Sequence, residues 1–199
     1  HNPDVTVISE TWLHDGIPDS DIVPPSHHIH RRDRPSHGGG VAVVLRCNVS
    51  ADPLDQIDGH ESLCLHISCN GKSFILIAVY RAPCAHSSFL TKLYDHMIRF
   101  SKSNIIIAGN FNLPNIIWPS LSSPSSDDHL VFDVMLAFNL NQAVNIPTRV
   151  QGNSSSILDL VFYSATLSET DVTVVDGLSD HKIVIFTCQL GGRLGHASD

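Results

Sequence analysis

Residues 62–80 read SLCLHISCNGKSFILIAVY, and they contain the clearest structural signal in this chain. From residue 62 to residue 69, apolar side chains alternate with more polar ones, which is the period of a half-buried β-strand. Asn70-Gly71 follows at once, and this dipeptide is the strongest short signal for a two-residue hairpin turn. A continuous apolar run then reaches Tyr80. The stretch therefore predicts a β-hairpin made of two long strands.

Further strands and two helices are predicted around this hairpin. Short apolar runs indicate strands at residues 5–10, 41–45, 105–108, 157–163, 172–175 and 182–190. Apolar residues spaced by three and four indicate one helix that begins at Ser87 or Ser88 and a second that begins at Asp127 or Asp128. Because strands outnumber helices, the predicted fold class is α/β, with two packed, mostly antiparallel β-sheets flanked by helices in a four-layer α/β sandwich.

Length and composition predict a single domain. The chain has 199 residues, and a hydrophobic content of 42% is enough for one substantial core. We assign residues 1–190 to this domain and the polar, glycine-rich residues 191–199 to a flexible tail. Residues 15–25 and 121–126 are rich in proline with aspartate or serine, and they predict loops.

The charge balance restricts how the chain can hold an acidic partner. Its formal net charge is −8, whereas proteins that hold DNA usually present a basic face. A nucleic acid would therefore have to be held by a bound cation and a local patch. The only dense basic patch is Arg31-Arg32-Asp33-Arg34, with His37 shortly after it. A solvated turn explains these arginines equally well.

Cysteines and apolar runs bear on the compartment. Five cysteines, an odd number with no CxxC pair, favour buried, reduced thiols. With no pattern of a secretory signal, this predicts an intracellular protein, nuclear or cytoplasmic. Since no apolar run approaches the roughly eighteen residues of a membrane-spanning helix, we expect no membrane partner.

A histidine cluster offers a possible metal site. His27, His28 and His30 lie close in sequence, and with His37 they could indicate zinc. No cysteine stands at ligand spacing, and arginines follow the cluster, so we predict exposed residues of a loop instead.

Charged residues at the predicted strand ends are the first candidates for chemistry. Glu10 closes the first strand, where a lone carboxylate suits a hard cation such as Mg²⁺, although a solvated strand end explains it as well. Asp180-His181 opens the last strand, where a carboxylate can bind metal and an imidazole can meet a phosphate oxygen, or the pair can cap a turn. Asp159 interrupts an apolar strand, so it needs a partner, either a histidine or a turn backbone.

Uncharged residues at two other strand ends are weaker candidates. Tyr80 closes the hairpin, and Asn110 and Asn112 follow the apolar run at residues 105–108. A tyrosine in this position usually packs, and an asparagine usually forms a turn. These residues gain meaning only together with the charged ones.

Seven motifs occur in an order that resembles a known superfamily. They are Glu10-Thr11-Trp12, Arg31-Arg32-Asp33-Arg34, Gly38-Gly39-Gly40-Val41-Ala42, Tyr80-Arg81-Ala82-Pro83, Gly109-Asn110-Phe111-Asn112-Leu113-Pro114, Leu158-Asp159-Leu160-Val161-Phe162 and Ser179-Asp180-His181. Their order and spacing resemble the endonuclease/exonuclease/phosphatase superfamily, and most of all the apurinic-type endonuclease domain of LINE-type (non-LTR) retrotransposons. The resemblance covers nearly the whole chain, from about residue 3 to residue 190.

The resemblance implies a role for each candidate residue. Glu10 would be the principal ligand of Mg²⁺ or Mn²⁺, and Asp180 would complete the metal-binding shell. Tyr80 and Asn112 would hold the scissile phosphate or the attacking group. His181, oriented by Asp159, would stabilise the negative charge that develops on the phosphate.

Two departures from the family pattern reduce the expected activity. Asn110 stands where the family usually has the aspartate that orients or deprotonates the attacking water, and losing a general base commonly costs on the order of a hundred- to ten-thousand-fold in rate. The family's first strand, which carries a site asparagine, would precede His1, so we expect that strand to be missing and its neighbour to be an exposed edge. A fragment or a decayed copy would explain both.

Three functions follow as hypotheses. The first is a metal-dependent phosphodiesterase that nicks DNA to prime reverse transcription, normally fused to a reverse transcriptase. The second is a superfamily phosphatase acting on inositol phosphates or lipids, which Trp12 and residues 31–40 make the weaker choice. The third is a catalytically dead remnant or nucleic-acid-binding domain, which Asn110 favours, although the net charge of −8 opposes tight DNA binding.

Overall fold

The computed structural model describes residues 2–83, 85, 88–177 and 179–190. Thirteen β-strands and two α-helices occur in this part of the chain. The strands are β1 (Val5–Ser9), β2 (His27–Arg32), β3 (Val41–Arg46), β4 (Ser50–Pro53), β5 (Glu61–Cys69), β6 (Lys72–Tyr80), β7 (Ile105–Asn110), β8 (Leu140–Gln142), β9 (Arg149–Gln151), β10 (Ser154–Ser156), β11 (Asp159–Ser164), β12 (Ser168–Val175) and β13 (Ile183–Gln189). The helices are α1 (Ser88–Met97) and α2 (Ser126–Ala137).

A six-stranded sheet forms the centre of the molecule, with the strand order β4-β5-β6-β7-β11-β8. Only β6 and β7 pair in parallel within it, and the other neighbours are antiparallel. One face packs against the two helices through buried side chains such as Phe89, Leu93 and Val131. This amphipathic pairing of helices with a sheet face buries the first of two hydrophobic clusters.

The second layer covers the other face of the six-stranded sheet and consists of two pieces. One is a three-stranded antiparallel sheet with the order β1-β3-β2, and the other is the β12-β13 ribbon. Both pieces contribute to one cluster with the six-stranded sheet, through residues such as Val43, Leu65 and Phe186. The predicted α/β class, with packed and mostly antiparallel sheets, is thus confirmed.

The predicted hairpin is confirmed, and the structure gives its register. Cys69 lies opposite Lys72, and the pairing continues without a shift to Glu61 opposite Tyr80. The two turn residues, Asn70 and Gly71, have φ angles of 51° and 73°. Positive φ at both positions is what a type I′ hairpin turn requires, and asparagine and glycine tolerate it best.

The prediction of an exposed loop at the histidine cluster is wrong. Residues 27–32 form β2, which pairs along its whole length with β3, and every residue of β2 is half-buried. The apolar neighbour strand supplies both the backbone hydrogen bonds and the packing surface. A strand with few apolar residues can therefore form there, and its sequence alone does not show it.

Other differences concern edges and short elements. β1 is half-buried rather than buried, with Ile8 39% exposed, because it is the edge strand of its sheet. α2 begins at Ser126, inside the predicted loop, and α1 begins at Ser88. The alternative cap, Ser87, and the predicted tail at residues 191–199 lie outside the described residues. The short strands β4, β8, β9 and β10 were not predicted.

The prediction of buried thiols holds for only one of the four cysteines that the structure describes. Among the four described cysteines, Cys64 is buried, Cys69 and Cys188 are half-buried and Cys47 is exposed. Burial accordingly raises the pKa of the Cys64 thiol to about 12. The described residues contain no helix that is long and apolar enough to cross a membrane.

Candidate active site

Four polar residues form a row across the end of the six-stranded sheet. Glu61 lies opposite Tyr80 in β6, Tyr80 lies beside Asn110 in β7, and Asn110 lies opposite Asp159 in β11. Residues in register on neighbouring strands point to the same face of a sheet. This face is the inner one, because Tyr80 belongs to the cluster between the two layers. The row therefore lines one end of the cleft between the sheets.

Glu10 joins this row from the second layer. It directly follows β1 and has a φ of 54°, a left-handed conformation that turns the chain at the strand end. Its carboxylate lies close enough to Tyr80 to influence the pKa of the Tyr80 hydroxyl. Burial first, and then the negative charge of Glu10, raise the pKa of Tyr80 to about 12. Tyr80 is thus protonated at neutral pH, as tyrosine ordinarily is, and its hydroxyl can donate a hydrogen bond.

A glycine-rich loop supports the Glu10 segment. The backbone N–H of Trp12 donates to the carbonyl of Gly39 at 2.9 Å, and that of Thr11 donates to Gly40 at 3.4 Å. Gly39 and Gly40 both have positive φ, and a Cβ at Gly39 would overlap the side chains of Arg34 and Glu61. Only glycine allows this close approach without strain.

Glu61 fastens the same loop to the sheet. Its carboxylate accepts hydrogen bonds from the backbone N–H of Gly40 and from the Nε and Nη2 atoms of Arg34, with the Nε distance at 3.1 Å. The Arg34 guanidinium lies 5.7 Å from the centre of the Tyr80 ring. Glu61 thus connects the loop under Glu10 with the row that contains Tyr80.

His181 and Asp159 form an ion pair at the other end of the row. The Nδ1 atom of His181 lies 2.8 Å from Oδ2 of Asp159, and the two side chains are 26% and 17% exposed. The hydrogen bond with Asp159 is the largest influence on His181 and raises its pKa, against the opposing effect of burial. With Nδ1 engaged, the Nε2 side of the ring is left for a substrate.

The backbone of Asp159 is held by a buried threonine. Thr148 is fully buried, and its Oγ1 accepts hydrogen bonds from the N–H groups of Leu158 and Asp159, each at 3.0 Å. Its carbonyl accepts a bond from the N–H of Lys182 at 2.7 Å. Thr148 therefore ties the strand of Asp159 to the segment that carries His181.

Asn110 and Asn112 are fixed by a short hydrogen-bond chain. Asn110 is only 1% exposed, and its Oδ1 accepts a bond from the N–H of Asn112 at 2.9 Å. Asn112 has a φ of 47°, and its side-chain amide donates to the carbonyl of Arg81 at 2.7 Å. A carboxylate oxygen at residue 110 would accept the same bond from Asn112, so the local structure does not depend on the amide.

Asp180 has an arginine partner. The Nε atom of Arg149 lies 2.8 Å from its Oδ2, and each side chain is 37% exposed. The hydrogen bond from Arg149 lowers the pKa of Asp180. The role of Asp180 in metal binding stays a prediction, and such a role requires its carboxylate to bridge or leave this arginine.

The donor set of the site suits a hard divalent cation. Mg²⁺ takes one or two protein carboxylates and keeps several waters, so the single carboxylate of Glu10 at the rim of the cleft is compatible with it. No group of three or more histidine, cysteine, aspartate or glutamate side chains stands at metal-binding geometry among the described residues. A cation at Glu10 would therefore depend on water and phosphate oxygens for most of its ligands.

Sequence reasoning missed Glu61, Thr148 and Arg149. Glu61 could have been identified from the sequence. The two-residue turn at Asn70-Gly71 sets the hairpin register, and counting back from the turn places residue 61 opposite Tyr80. Thr148 and Arg149 come into the site through long-range packing, and their local sequence carries no signal of it.

The fold and this arrangement define a protein of the endonuclease/exonuclease/phosphatase superfamily. The sequence profile described as endonuclease-reverse transcriptase matches residues 74–185, and the chain belongs to that family. It is a family of nucleases and phosphodiesterases. A search of curated protein sequences finds no match.

Solved structures with the same fold include several nucleases. The endonuclease domain of TRAS1, a telomere-specific non-LTR retrotransposon, aligns with a TM-score of 0.73 and 15% identity over 95% of this chain and 87% of its own. An AP endonuclease from Archaeoglobus fulgidus gives 0.71 and 14% over 94% and 89%. The 3′ phosphatase NExo from Neisseria, bound to a product DNA hairpin, gives 0.67 and 17% over 96% and 90%. At these identities the similarity shows the fold.

Proposed function

We propose that this chain is a divalent-metal-dependent phosphodiesterase domain that nicks DNA, as in a retrotransposon endonuclease, and that Asn110 reduces its rate. One observation carries the proposal. Tyr80, Asn110 and Asp159 stand side by side at one sheet end, with Glu10 at the Tyr80 end of the row and His181 at the Asp159 end. Residues from five separate parts of the sequence thus converge, as phosphodiester chemistry requires.

Two donors in this row suit a phosphate that gains negative charge. Tyr80 keeps its hydroxyl proton at neutral pH, as tyrosine ordinarily does, and its pKa is raised further to about 12. Asp159 raises the pKa of His181, which shifts its imidazole towards the protonated form, and in that form Nε2–H can be donated to a phosphate oxygen. Fixed donors of this kind stabilise charge that develops in a transition state. Mg²⁺ or Mn²⁺ held by Glu10 would neutralise phosphate oxygens when bound.

Asn110 is the proposed weak point of the reaction. A carboxamide has nearly the shape of a carboxylate but does not accept a proton from an attacking water. Its Oδ1 is already engaged with the N–H of Asn112 at 2.9 Å. We therefore expect a loss on the order of a hundred- to ten-thousand-fold in rate relative to an aspartate at this position.

The expected partners follow from this function. The substrate would be DNA, and the domain would act beside a reverse transcriptase in the same polypeptide. Such a protein would work inside the cell, in the nucleus or the cytoplasm. Three supporting facts are the family match, the fold shared with the TRAS1 domain and the DNA hairpin bound to the NExo structure.

Asn110 also favours a second function, that of a catalytically inactive nucleic-acid-binding domain. The buried amide keeps the hydrogen bond that shapes the Asn112 turn. A chain that lost catalysis in this way would keep its fold and its phosphate-facing donors. The two functions therefore differ in nicking and not in binding.

A nicking assay on supercoiled plasmid with Mg²⁺ tests the proposal. The native chain should nick slowly, Asn110→Asp should raise the rate by at least about a hundredfold, and EDTA should abolish both activities. Asn141→Asp makes the same chemical change at an exposed residue and should alter nothing. Rapid nicking by the native chain would refute the argument from Asn110. DNA binding with no nicking by either chain would favour the inactive binding domain.

A further inference from the structure

Three basic side chains converge beside the candidate site, and we call Arg32, His60 and Lys92 the flanking patch. Arg32 and His60 line one cavity of about 270 Å³, together with Gly59 and Glu61. Lys92 reaches the same place from α1, where its Nζ lies 3.7 Å from the position that a Cβ at Gly59 would take. Burial first, and then the charges of Lys92 and Arg32, lower the pKa of His60, which agrees with this proximity.

The carboxylates around the cavity already have other arginine partners. Glu61 is paired with Arg34, and Oδ2 of Asp33 lies 3.7 Å from Arg31, while Oδ1 of Asp33 is buried without a hydrogen bond among the described residues. Arg32 has no ion-pair partner among the described residues, and its Nη1 is buried without a hydrogen bond in that part of the chain. A buried guanidinium nitrogen without an acceptor is unfavourable. An anionic ligand in the cavity can supply the missing acceptor.

Lys92 is similarly free of acidic partners. Its Nζ donates to the backbone carbonyl of Asp58 at 3.0 Å, and no carboxylate of the described residues stands within ion-pair distance of it. The side chain is exposed on α1 and can turn towards an incoming anion. Arg32 and Lys92 thus carry uncompensated positive charge in a chain whose net charge is −8.

The flanking patch adjoins the candidate site on the same end of the molecule. Arg32 ends β2 opposite Val41, the residue that also pairs with Ser9 just before Glu10. His60 immediately precedes Glu61, which lies opposite Tyr80. A nucleic-acid strand whose scissile phosphate reached Tyr80 would therefore place a neighbouring phosphate near the cavity.

We propose that Arg32, His60 and Lys92 bind a backbone phosphate of the nucleic acid next to the one that is cleaved. This inference rests on the proposed function, because it places the DNA strand with respect to Glu10 and Tyr80. Arginine presents a planar fork to phosphate oxygens, and lysine adds a mobile point charge. Contacts to the backbone position a strand without reading its sequence. The patch thus provides the local basic surface that the overall acidic charge does not.

Equilibrium binding in EDTA tests this proposal without catalysis. The probe is a short fluorescein-labelled DNA duplex, and its anisotropy is measured across a series of KCl concentrations. Arg32→Ala and Lys92→Ala should each weaken binding by roughly five- to tenfold and reduce the slope of log Kd against log salt by about 1. Lys102→Ala, at an exposed residue near the start of β7 and so at the opposite end of the sheet, should leave both quantities unchanged.

The outcomes separate this proposal from the proposed function. Lys92→Ala replaces an exposed side chain, and unchanged affinity and slope in this variant would overturn the flanking patch even if the native chain nicks plasmid. No detectable binding by the native chain would overturn it as well. Weakened binding by both variants, in a chain that does not nick, would support the patch and refute the nicking function. Thermal unfolding of each variant identifies any loss that arises from misfolding of Arg32→Ala.

Discussion

The Nδ1 atom of His181 lies 2.8 Å from the Oδ2 atom of Asp159, and this contact joins the two layers of the sandwich. Asp159 begins β11 of the six-stranded sheet, whereas His181 precedes β13 of the second layer. The pair therefore has two effects. It orients the imidazole ring, and it joins the two layers beside the backbone bond from Lys182 to Thr148 and the ion pair between Arg149 and Asp180.

Asp159→Asn should lower the pKa of His181, because the hydrogen bond and negative charge of Asp159 raise it. A raised pKa in the folded state stabilises the fold below the unfolded value of about 6.5, and this contribution disappears as the pH rises through the folded pKa. The variant should thus lose most stability in mildly acidic solution and less at alkaline pH. NMR titration of the histidine Cε1 protons, with His181→Ala to assign the signal, measures the shift. An unchanged pKa would contradict the ion pair.

Thr148→Val should destabilise the protein by about 2 to 4 kcal/mol, because the N–H groups of Leu158 and Asp159 lose their buried acceptor. Chemical unfolding in urea measures the change. Thr166→Val is the matched control, since Thr166 is exposed and bonds only the Asn104 side chain, and it should cost less than about 0.5 kcal/mol. Equal losses in the free energy of unfolding of the two variants would argue against a stabilising role for the Thr148 hydrogen bonds.

Glu61→Gln should weaken metal binding by roughly tenfold, because residues that orient a metal ligand typically affect affinity to that extent. The amide loses the charge that holds Arg34, and its single carbonyl oxygen replaces only one of the two acceptor oxygens that serve Gly40 and Arg34. The loop under Glu10 then loosens. Calorimetric titration with Mn²⁺ measures the affinity, and Glu169→Gln, at an exposed residue of β12, is the control. Equal Mn²⁺ affinities of the native chain and the two variants would show that Glu61 does not support metal binding by Glu10.

Gly39→Ala should destabilise the protein more than Gly152→Ala. Both glycines have positive φ, 72° and 58°, so each alanine incurs the left-handed cost of about 1 to 2 kcal/mol. At Gly152 nothing lies within 4 Å of the added Cβ, whereas at Gly39 it overlaps Arg34 and Glu61. Urea unfolding should therefore show an additional loss of at least about 1 kcal/mol for Gly39→Ala. Similar values for both would mean that the loop can shift freely.

Local sequence patterns predicted the elements that carry their own signal. The Asn70-Gly71 turn fixed the hairpin and its register, and the apolar runs located β3 and β7. β2 escaped prediction because its histidines and arginines show no apolar pattern, and β3 supplies what stabilises it. The short strands β9 and β10 contain three residues each, too few to establish any period.

The residues of the candidate site and the pairing of His181 with Asp159 were predictable, whereas the other contacts within the site were not. Strand ends and motif order singled out Glu10, Tyr80, Asp159 and His181, and the structure brings them together along one row. The pairing of Asp180 with Arg149 depends on two segments 31 residues apart, and no local pattern encodes it. The metal-binding and catalytic roles of these residues stay predictions.

The spacing of the row that contains Tyr80, Asn110 and Asp159 is set by main-chain pairing between adjacent strands, and so it is independent of what each side chain does. Aspartate and asparagine codons differ by a single base. Under the proposed function, a gene copy inactivated by asparagine at residue 110 would still encode an intact fold. A single base change would restore the aspartate that accepts the proton. Loss of activity through residue 110 alone is therefore reversible, whereas mutations that disrupt the fold are not reversed so easily.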